Sequence, residues 1–238
     1  MRKVGIIGCG AIGTVLSRAI DDGLVKCELV ALYDRSVEKA RKLASSLKNQ
    51  HPKVAESFED FLKADMDLVV EAASQEAVHQ YGEAILSRGI DLMVMSVGAL
   101  LDDELRNRLL SLAKKHGRTI YAPTGAIGAL DVLRAARLRP LQEVVLVTRK
   151  PPEALEGVAY LEERGIDVHK IVSPTVVYEG PAREAVRLFP KNVNIAAALS
   201  LSSLGPDGVK VQIIVDPSIR RNVHEVIARG EFGEMHII

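Results

Sequence analysis

A short apolar strand that runs directly into a glycine-rich turn and then into a helix constrains this chain more than any other feature. The turn is Gly8-Cys9-Gly10-Ala11-Ile12-Gly13; it follows the apolar run Val4–Ile7, and helical spacing of apolar residues continues over 11–22. The first glycine permits a tight turn, the second lets the backbone approach a pyrophosphate, and the third lets the helix pack on the strand. The helix N-terminus favours the negative charge of a phosphate. We therefore predict a dinucleotide site at Gly8, Gly10, Ala11, Ile12 and Gly13.

An acidic residue at the end of the next predicted strand indicates which dinucleotide binds. The strand Leu29–Tyr33 is followed by Asp34, and an acid at this place hydrogen-bonds an adenosine ribose and repels a 2′-phosphate. Arg35 follows directly, and its cation is suited to accommodate part of such a phosphate. We predict that Asp34 and Arg35 contact NAD, and NADP stays open as the alternative.

The first half of the chain alternates strands and helices. Helical patterns over 11–22, 37–47, 75–88 and 102–116 separate apolar runs at 4–7, 29–33, 68–71, 91–95 and 119–122. Several of these runs are continuously apolar, which is typical of strands in a sheet that is covered on both faces. The pattern predicts an α/β fold in which residues 1–122 form a doubly wound parallel sheet, that is, a dinucleotide-binding Rossmann domain.

Small residues follow the predicted strands at the edge of the sheet where such folds bind ligands. One loop is Glu71-Ala72-Ala73-Ser74, and the next strand is followed by Ser96 and further small residues. Because small side chains leave room for a cofactor, we expect Ala72, Ala73 and Ser96 to line the nucleotide crevice.

The second half of the chain has a different character. It combines β-branched strand patterns at 143–148, 171–178 and 209–215 with helical patterns at 130–138, 182–189 and 193–203, and it ends in a predicted hairpin. We expect residues 123–238 to form an α+β substrate-binding and dimerisation domain with an antiparallel sheet. The last ~20 residues are also compatible with packing back on the Rossmann domain.

Composition excludes several classes of function. The 31 Lys and Arg residues balance 31 Asp and Glu residues, which gives no bulk charge for binding nucleic acid. The two cysteines make no disulfide framework, and no apolar run is long enough to cross a bilayer. Because the histidines and cysteines lack ligand spacing, no metal site is predicted. We expect a cytoplasmic protein that acts on a small molecule.

Two polar elements in the second half are candidates for chemistry. Lys191, Asn192 and Asn194 place a cation and two amides at the start of an apolar helix, which suits a carboxylate or a nicotinamide amide. Either asparagine is explained equally well as a helix cap. His224 follows a predicted bend at Asp216-Pro217 and has polar neighbours that are suited to orient its ring. A purely structural role is the alternative for this histidine.

These elements together resemble the L-aspartate dehydrogenase family. The resemblance runs in chain order through the glycine turn, Pro123–Gly128, Phe189–Asn194 and Asp216–His224. The Pro-Lys-Asn-x-Asn element ahead of Asn-x-His is the specific part, because many dehydrogenases share the glycine turn. The family implies that His224 is catalytic and that Ala126 and one asparagine of the 192–194 motif, Asn192 in our assignment, contact the cofactor. We expect Lys191 and Asn194 to bind the substrate. The choice between Asn192 and Asn194 as the nicotinamide contact stays open.

The resemblance implies a homodimer that carries out reversible NAD(P)-dependent oxidative deamination of L-aspartate. It also implies that the products are iminoaspartate, then oxaloacetate and ammonia, and that iminoaspartate feeds NAD biosynthesis. One alternative is another two-domain oxidoreductase, of the dihydrodipicolinate reductase or homoserine dehydrogenase type, although the former usually carries adjacent histidines that this chain lacks. The other alternative is a non-catalytic NAD-binding sensor, which has no need of the polar residues around Asn192 and His224.

Overall fold

The structure is a computed structural model that describes residues 1–125, 127–128, 130–189 and 194–238. The chain divides into two compact units, Met1–Pro123 and Thr124–Ile238. Each unit contains a β-sheet of its own. Among the described residues, no helix is both long enough and apolar enough to cross a membrane.

The first unit contains a six-stranded parallel sheet in the order β3-β2-β1-β4-β5-β6. The order changes direction between β1 and β4, which is the arrangement of a doubly wound nucleotide-binding sheet. The predicted Rossmann fold is therefore confirmed. Its elements are β1 (Lys3–Ile7), α1 (Ala11–Asp21), β2 (Glu28–Tyr33), α2 (Val37–Ser46), β3 (Lys53–Val54), α3 (Phe58–Phe61), β4 (Leu68–Glu71), α4 (Gln75–Ser87), β5 (Asp91–Val94), α5 (Asp103–His116) and β6 (Ile120–Tyr121).

The central strands of this sheet are covered on both faces. All four residues of β4 are buried, and so are Ile6 and Ile7 in β1, although consecutive residues of a strand point to opposite faces. An aromatic cluster lies beside β2, where the rings of Phe58 and Tyr81 approach to 4.2 Å between centroids. The continuous apolar runs in the sequence thus reflect burial from both sides.

The second unit contains a five-stranded sheet in the order β11-β10-β7-β9-β8. The expectation of an antiparallel sheet is wrong at one pairing, because β7 and β9 run parallel. The described part of the segment between these two strands contains β8 and three α-helices, and the segment is long enough to return the chain in the same direction. The elements are α6 (Leu130–Ala136), β7 (Leu141–Lys150), α7 (Ala159–Glu163), β8 (Thr175–Pro181), α8 (Ala182–Leu188), α9 (Asn194–Ser202), β9 (Val209–Val215), β10 (Val223–Gly230) and β11 (Gly233–Ile237).

One strand of this sheet begins later than its sequence pattern predicts. The β-branched pattern begins at Ile171, whereas β8 begins at Thr175. Pro174 lies directly before the strand and has no backbone N–H to donate, so it cannot take part fully in a ladder of hydrogen bonds. Val172 lies before this proline and is 91% exposed. The terminal hairpin forms as predicted, with β10 and β11 antiparallel.

The two faces of the second sheet differ in burial. Alternate residues of β7 form one fully buried face that changes along the strand from Val144 and Leu146 to Thr148 and Lys150, both 3% exposed. His224 of β10 pairs directly with Thr148 and therefore lies on the same face. This face thus changes from apolar to polar at one end, where the candidate catalytic histidine lies.

Candidate active site

The glycine turn after β1 has the geometry that the spacing predicts. Gly8 has φ of +97°, and a Cβ atom there would lie 2.6 Å from the carbonyl oxygen of Ala72. A Cβ atom on Gly13 would lie 1.8 Å from the carbonyl oxygen of Gly8, so α1 approaches the turn more closely than any side chain allows. A Cβ atom on Gly10 would meet no atom within 4 Å. The turn therefore packs tightly at its first and third glycines and stays open at the second.

This turn fits the pyrophosphate of a dinucleotide. Gly10 precedes α1 and has no side chain to cap it, and the first turn of a helix has backbone N–H groups without partners inside the helix. Ala11 and Ile12 form that turn, and both are exposed, Ile12 to 50%. An anion at this place meets the positive end of the helix dipole and an open backbone.

Asp34, at the end of β2, is held by the backbone on both sides. Its Oδ2 accepts a hydrogen bond from the backbone N–H of Cys9 at 2.8 Å, and its Oδ1 accepts one from the backbone N–H of Ser36 at 2.8 Å. The carboxylate is thereby fixed beside the glycine turn. Its remaining lone pairs are suited to accept hydrogen bonds from ribose hydroxyls.

A cavity of about 200 Å³ lies beside this carboxylate. Arg35 and Lys39 contribute two cations to its wall, and Tyr33 and Tyr81 contribute aromatic rings. Of the residues predicted to bind the cofactor, six line the cavity: Gly8, Gly10, Asp34, Arg35, Ala72 and Ala73.

A buried carboxylate connects the loops that follow β4 and β5. Oε1 of Glu71 accepts hydrogen bonds from the backbone N–H groups of Ala73 at 2.8 Å and Ser74 at 2.9 Å. Ser96, which is partly buried, donates its backbone N–H to Oε2 at 3.0 Å and its hydroxyl to Oε1 at 2.9 Å. Burial is the largest influence on this group and raises the pKa of Glu71, while these hydrogen bonds act in the opposite direction.

His224 is partly buried in β10, and its ring has a defined partner. Its Nδ1 lies 3.2 Å from the hydroxyl oxygen of Thr148 on the neighbouring strand. Such a partner at one ring nitrogen fixes the plane of the imidazole and leaves Nε2 as the other functional atom.

A buried lysine lies on the same face of the sheet. Lys150 is two residues after Thr148 in β7 and is 3% exposed. Burial, and second the charge of Lys150, lower the pKa of His224, because both disfavour the imidazolium. Burial also lowers the pKa of Lys150 itself. Burial and the charge of Lys150 thus favour the neutral imidazole of His224, which is the form that accepts a proton.

Four predicted site residues remain to be placed. Ala126, Lys191 and Asn192 lie outside the described residues. Asn194 is the first residue of α9, and it is exposed. Asn192 and Asn194 thus remain alternatives for the cofactor contact. Within the described part of the chain, no group of three His, Cys, Asp or Glu side chains is arranged to hold a metal ion.

Three residues around these sites did not emerge from the sequence patterns. Thr148 and Lys150 interrupt the buried, otherwise apolar face of β7 at alternate positions, which is a signal that polar residues are buried for a reason. Glu71 ends the apolar strand Leu68–Val70 and directly precedes the small residues of the crevice loop. The local sequence indicates the position of each of these residues on its strand, but it does not indicate which residues each of them contacts.

Two family models match this chain in succession. Residues 8–123 match the NAD-binding domain of homoserine dehydrogenase, and residues 131–238 match the C-terminal domain of aspartate dehydrogenase. The first match supports NAD as the cofactor. Because the NAD-binding half is shared with other dehydrogenases, the second half distinguishes the family.

Individual relatives extend the similarity over the whole chain. The L-aspartate dehydrogenase of Methanosarcina acetivorans is 47% identical over 98% of this chain and 86% of its own length. That of Methanocaldococcus jannaschii is 41% identical over 100% of this chain and 86% of its own length. The crystal structure of aspartate dehydrogenase from Thermotoga maritima matches with a TM-score of 0.76 and 31% identity, covering 99% of this chain and 88% of that one. The chain therefore belongs to the L-aspartate dehydrogenase family.

Proposed function

We propose that this protein oxidises L-aspartate with NAD⁺ and water to oxaloacetate, ammonium, NADH and a proton, and that it also runs this reaction in reverse. The observation that carries the proposal is a partly buried histidine, held by Thr148 at the polar end of the second sheet, in a chain of the aspartate dehydrogenase family. A hydride transfer from an amine needs a base for the amine proton, and an imidazole that titrates near neutral pH is suited to that task.

The first unit supplies the cofactor site in this proposal. Gly8, Gly10, Ala11, Ile12 and Gly13 hold the pyrophosphate, and Asp34 binds the adenosine ribose. When NAD⁺ is bound, it accepts the hydride that leaves Cα of the substrate. Arg35 and Lys39 line the same cavity, so we propose that NADP is accepted less well than NAD but not excluded. Ala72, Ala73, Ser96, Ala126 and Asn192 complete the proposed site.

The second unit, residues 123–238 in our assignment, supplies the acid–base group and the substrate contacts. Thr148 accepts a hydrogen bond from Nδ1–H of His224, which leaves Nε2 to take the proton from the substrate ammonium. Nε2 releases this proton to solvent, then removes a proton from the water that attacks the imine and returns it to the departing ammonia. Lys191 and Asn194 bind the carboxylates of the substrate, as a point charge and a hydrogen-bond donor respectively.

We also propose that the second sheet forms a homodimer through its less buried face. Val145 and Ile227 pair across β7 and β10 on this face and are partly exposed. Arg229 lies on the same face and forms ion pairs with Glu143 and Glu234. A face of apolar residues bordered by charges of both signs is able to pack against its own copy. Light scattering of the purified protein tests this, and a mass of one chain at micromolar concentration contradicts it.

The test of the function is an absorbance assay for the reduced cofactor. The purified protein is mixed with NAD⁺ or NADP⁺ and with L-aspartate, L-homoserine, L-glutamate or L-alanine. We expect reduction with L-aspartate, faster with NAD⁺. Activity with homoserine alone supports the homoserine dehydrogenase alternative, and tight NADH binding with no substrate at all supports the sensor alternative.

The His224→Gln variant tests the assigned base in the same assay. We expect kcat to fall by ~10²- to 10⁴-fold, the usual contribution of a general acid or base. Its affinity for NADH is expected to stay within ~2-fold of the wild type, since the predicted pyrophosphate and ribose contacts lie in the first unit. Near-normal turnover by the folded variant contradicts the assignment.

A further inference from the structure

Glu71 is the most deeply buried carboxylate of the first unit, and it lies at the carboxyl end of β4, where this fold binds its ligand. It is 1% exposed. Four donors converge on it: the backbone N–H groups of Ala73, Ser74 and Ser96, and the hydroxyl of Ser96, all at 2.8–3.0 Å. An ionised carboxylate is acceptor-only, so it satisfies all four donors at once. Among side chains of this length, only that of glutamate presents two oxygens that both act purely as acceptors.

These donors come from two different loops. Ala73 and Ser74 follow β4, whereas Ser96 follows β5, so a single side chain joins the crevice loops of two neighbouring strands. The first of these loops also supports the glycine turn. A Cβ atom on Gly8 would lie 2.8 Å from the backbone nitrogen of Ala73, so turn and loop are in direct backbone contact. Glu71 therefore fixes the backbone of the crevice loops, although its own side chain is buried.

The positions of these two loops in the sheet relate them to the two halves of the cofactor. The two halves of a doubly wound sheet each bind one mononucleotide, on either side of the point where the strand order reverses. Asp34 follows β2, so the adenosine half lies over β1–β3. Ala73 and Ser74, which follow β4, line the cavity beside Asp34, whereas Ser96 follows β5, on the other side of that point.

We propose that Glu71 is a positioning residue that shapes the nicotinamide half of the cofactor site by holding Ser96 against the loop that follows β4. The inference rests on the proposed function only in taking NAD as the ligand. It makes a specific demand: loss of the hydrogen bond between Glu71 and the backbone N–H of Ser96 weakens binding of the nicotinamide half more than binding of the adenosine half.

The experiment compares NADH with ADP-ribose, which has the adenosine and pyrophosphate parts but no nicotinamide. Both dissociation constants are measured by calorimetry on the full-length wild type and on Glu71→Gln. A glutamine presents one acceptor oxygen, which is suited to keep the donors on Oε1, whereas its amide nitrogen opposes the backbone N–H of Ser96, the one donor on Oε2. We expect the Kd of NADH to rise by ~10-fold or more and that of ADP-ribose to change by less than ~2-fold.

Asp21 provides a matched control within the same unit. It is 7% exposed, and it accepts hydrogen bonds from the backbone N–H groups of Lys48, Asn49 and Gln50 at 2.7–2.8 Å. It ends α1, an 11-residue helix, and so lies about 16 Å from the glycine turn at the other end. Asp21→Asn removes a comparable set of hydrogen bonds, so it is expected to lower the unfolding temperature without changing either dissociation constant.

The outcomes separate the inference from the function it rests on. If Glu71→Gln weakens NADH and ADP-ribose equally, or weakens neither, Glu71 has no specific role in the nicotinamide half and the inference is overturned. If the wild type itself does not bind NADH, the proposed function is contradicted, whatever the effect of Glu71→Gln. Should Glu71→Gln not fold, Ser96→Ala removes only the hydroxyl donor, and the same selective loss of NADH affinity, smaller in size, is expected. Unchanged NADH affinity in Ser96→Ala then counts against the inference.

Discussion

Thr148 Oγ1 and His224 Nδ1 lie 3.2 Å apart on adjacent antiparallel strands, although 76 residues separate them in the chain. Both residues occupy the buried face of the second sheet, directly opposite each other in the strand register. A rigid ladder of backbone hydrogen bonds thus holds both the imidazole and the group that orients it. This pairing gives the ring of the proposed base a fixed plane before any substrate binds.

Thr148→Val tests whether this hydrogen bond orients the ring. Valine keeps the shape of threonine and removes the hydroxyl, so we expect kcat to fall by ~2- to 10-fold, the value of one such bond. The KM for NAD⁺ is expected to stay unchanged. Thr148→Ser restores the hydroxyl and is expected to recover most of the lost kcat. Equal losses in the valine and serine variants would mean that packing, not the hydrogen bond, is responsible.

The pH dependence of kcat/KM tests the electrostatics around His224. Burial and the charge of Lys150 lower the pKa of this histidine. Because the neutral imidazole is the active base, activity is retained above that pKa and lost as the pH falls through it. The acid limb of the profile, where kcat/KM falls with falling pH, is therefore expected below the ordinary pKa of histidine. Lys150→Met removes the neighbouring cation, so we expect this limb to move to higher pH.

Lys210→Met is the matched control for the lysine variant. Lys210 lies on β9 of the same sheet, is exposed, and forms an ion pair with Glu179. Its replacement removes the same charge without touching the buried face, so the acid limb is expected to stay in place. An acid limb that is identical in Lys150→Met and the wild type contradicts the proposed effect of Lys150.

Asp34→Asn tests the assignment of cofactor preference. Asparagine keeps an oxygen for the backbone N–H of Ser36 but loses the charge that binds the ribose and repels a 2′-phosphate. We expect the KM for NAD⁺ to rise by ~10- to 100-fold, the loss of a hydrogen bond to a charged group, and the NADP⁺/NAD⁺ ratio of kcat/KM to rise. Glu38→Gln, a nearby exposed acid, serves as the control. An unchanged ratio in Asp34→Asn contradicts the assignment.

The features of this molecule that are determined by residues close together in the sequence could be predicted from it. The glycine turn, the strand before it and the acid at the end of β2 follow from local requirements on backbone space and charge. The alternation of strands and helices then determines a parallel sheet, because parallel strands need a helical crossover. Even the late start of β8 was open to prediction, since Pro174 cannot donate a hydrogen bond to the sheet.

The parts that depend on distant residues could not be predicted in this way. The donors to Glu71 include Ser96, which lies 25 residues away, and the partner of His224 comes from another strand. Parallel pairing of β7 with β9 likewise depends on where a long connection returns. Resemblance to a family identified His224, whereas only the three-dimensional register shows Thr148 and Lys150 on the same face.

The most direct test of the account is to follow the hydride itself. L-Aspartate that carries deuterium at Cα is incubated with the protein and NAD⁺, and the NADH formed is analysed by mass spectrometry. Because the transferred hydride comes from the substrate Cα in the proposed reaction, we expect the NADH to gain one deuterium, in the wild type and, more slowly, in His224→Gln. NADH without deuterium, or no NADH from aspartate at all, would contradict it.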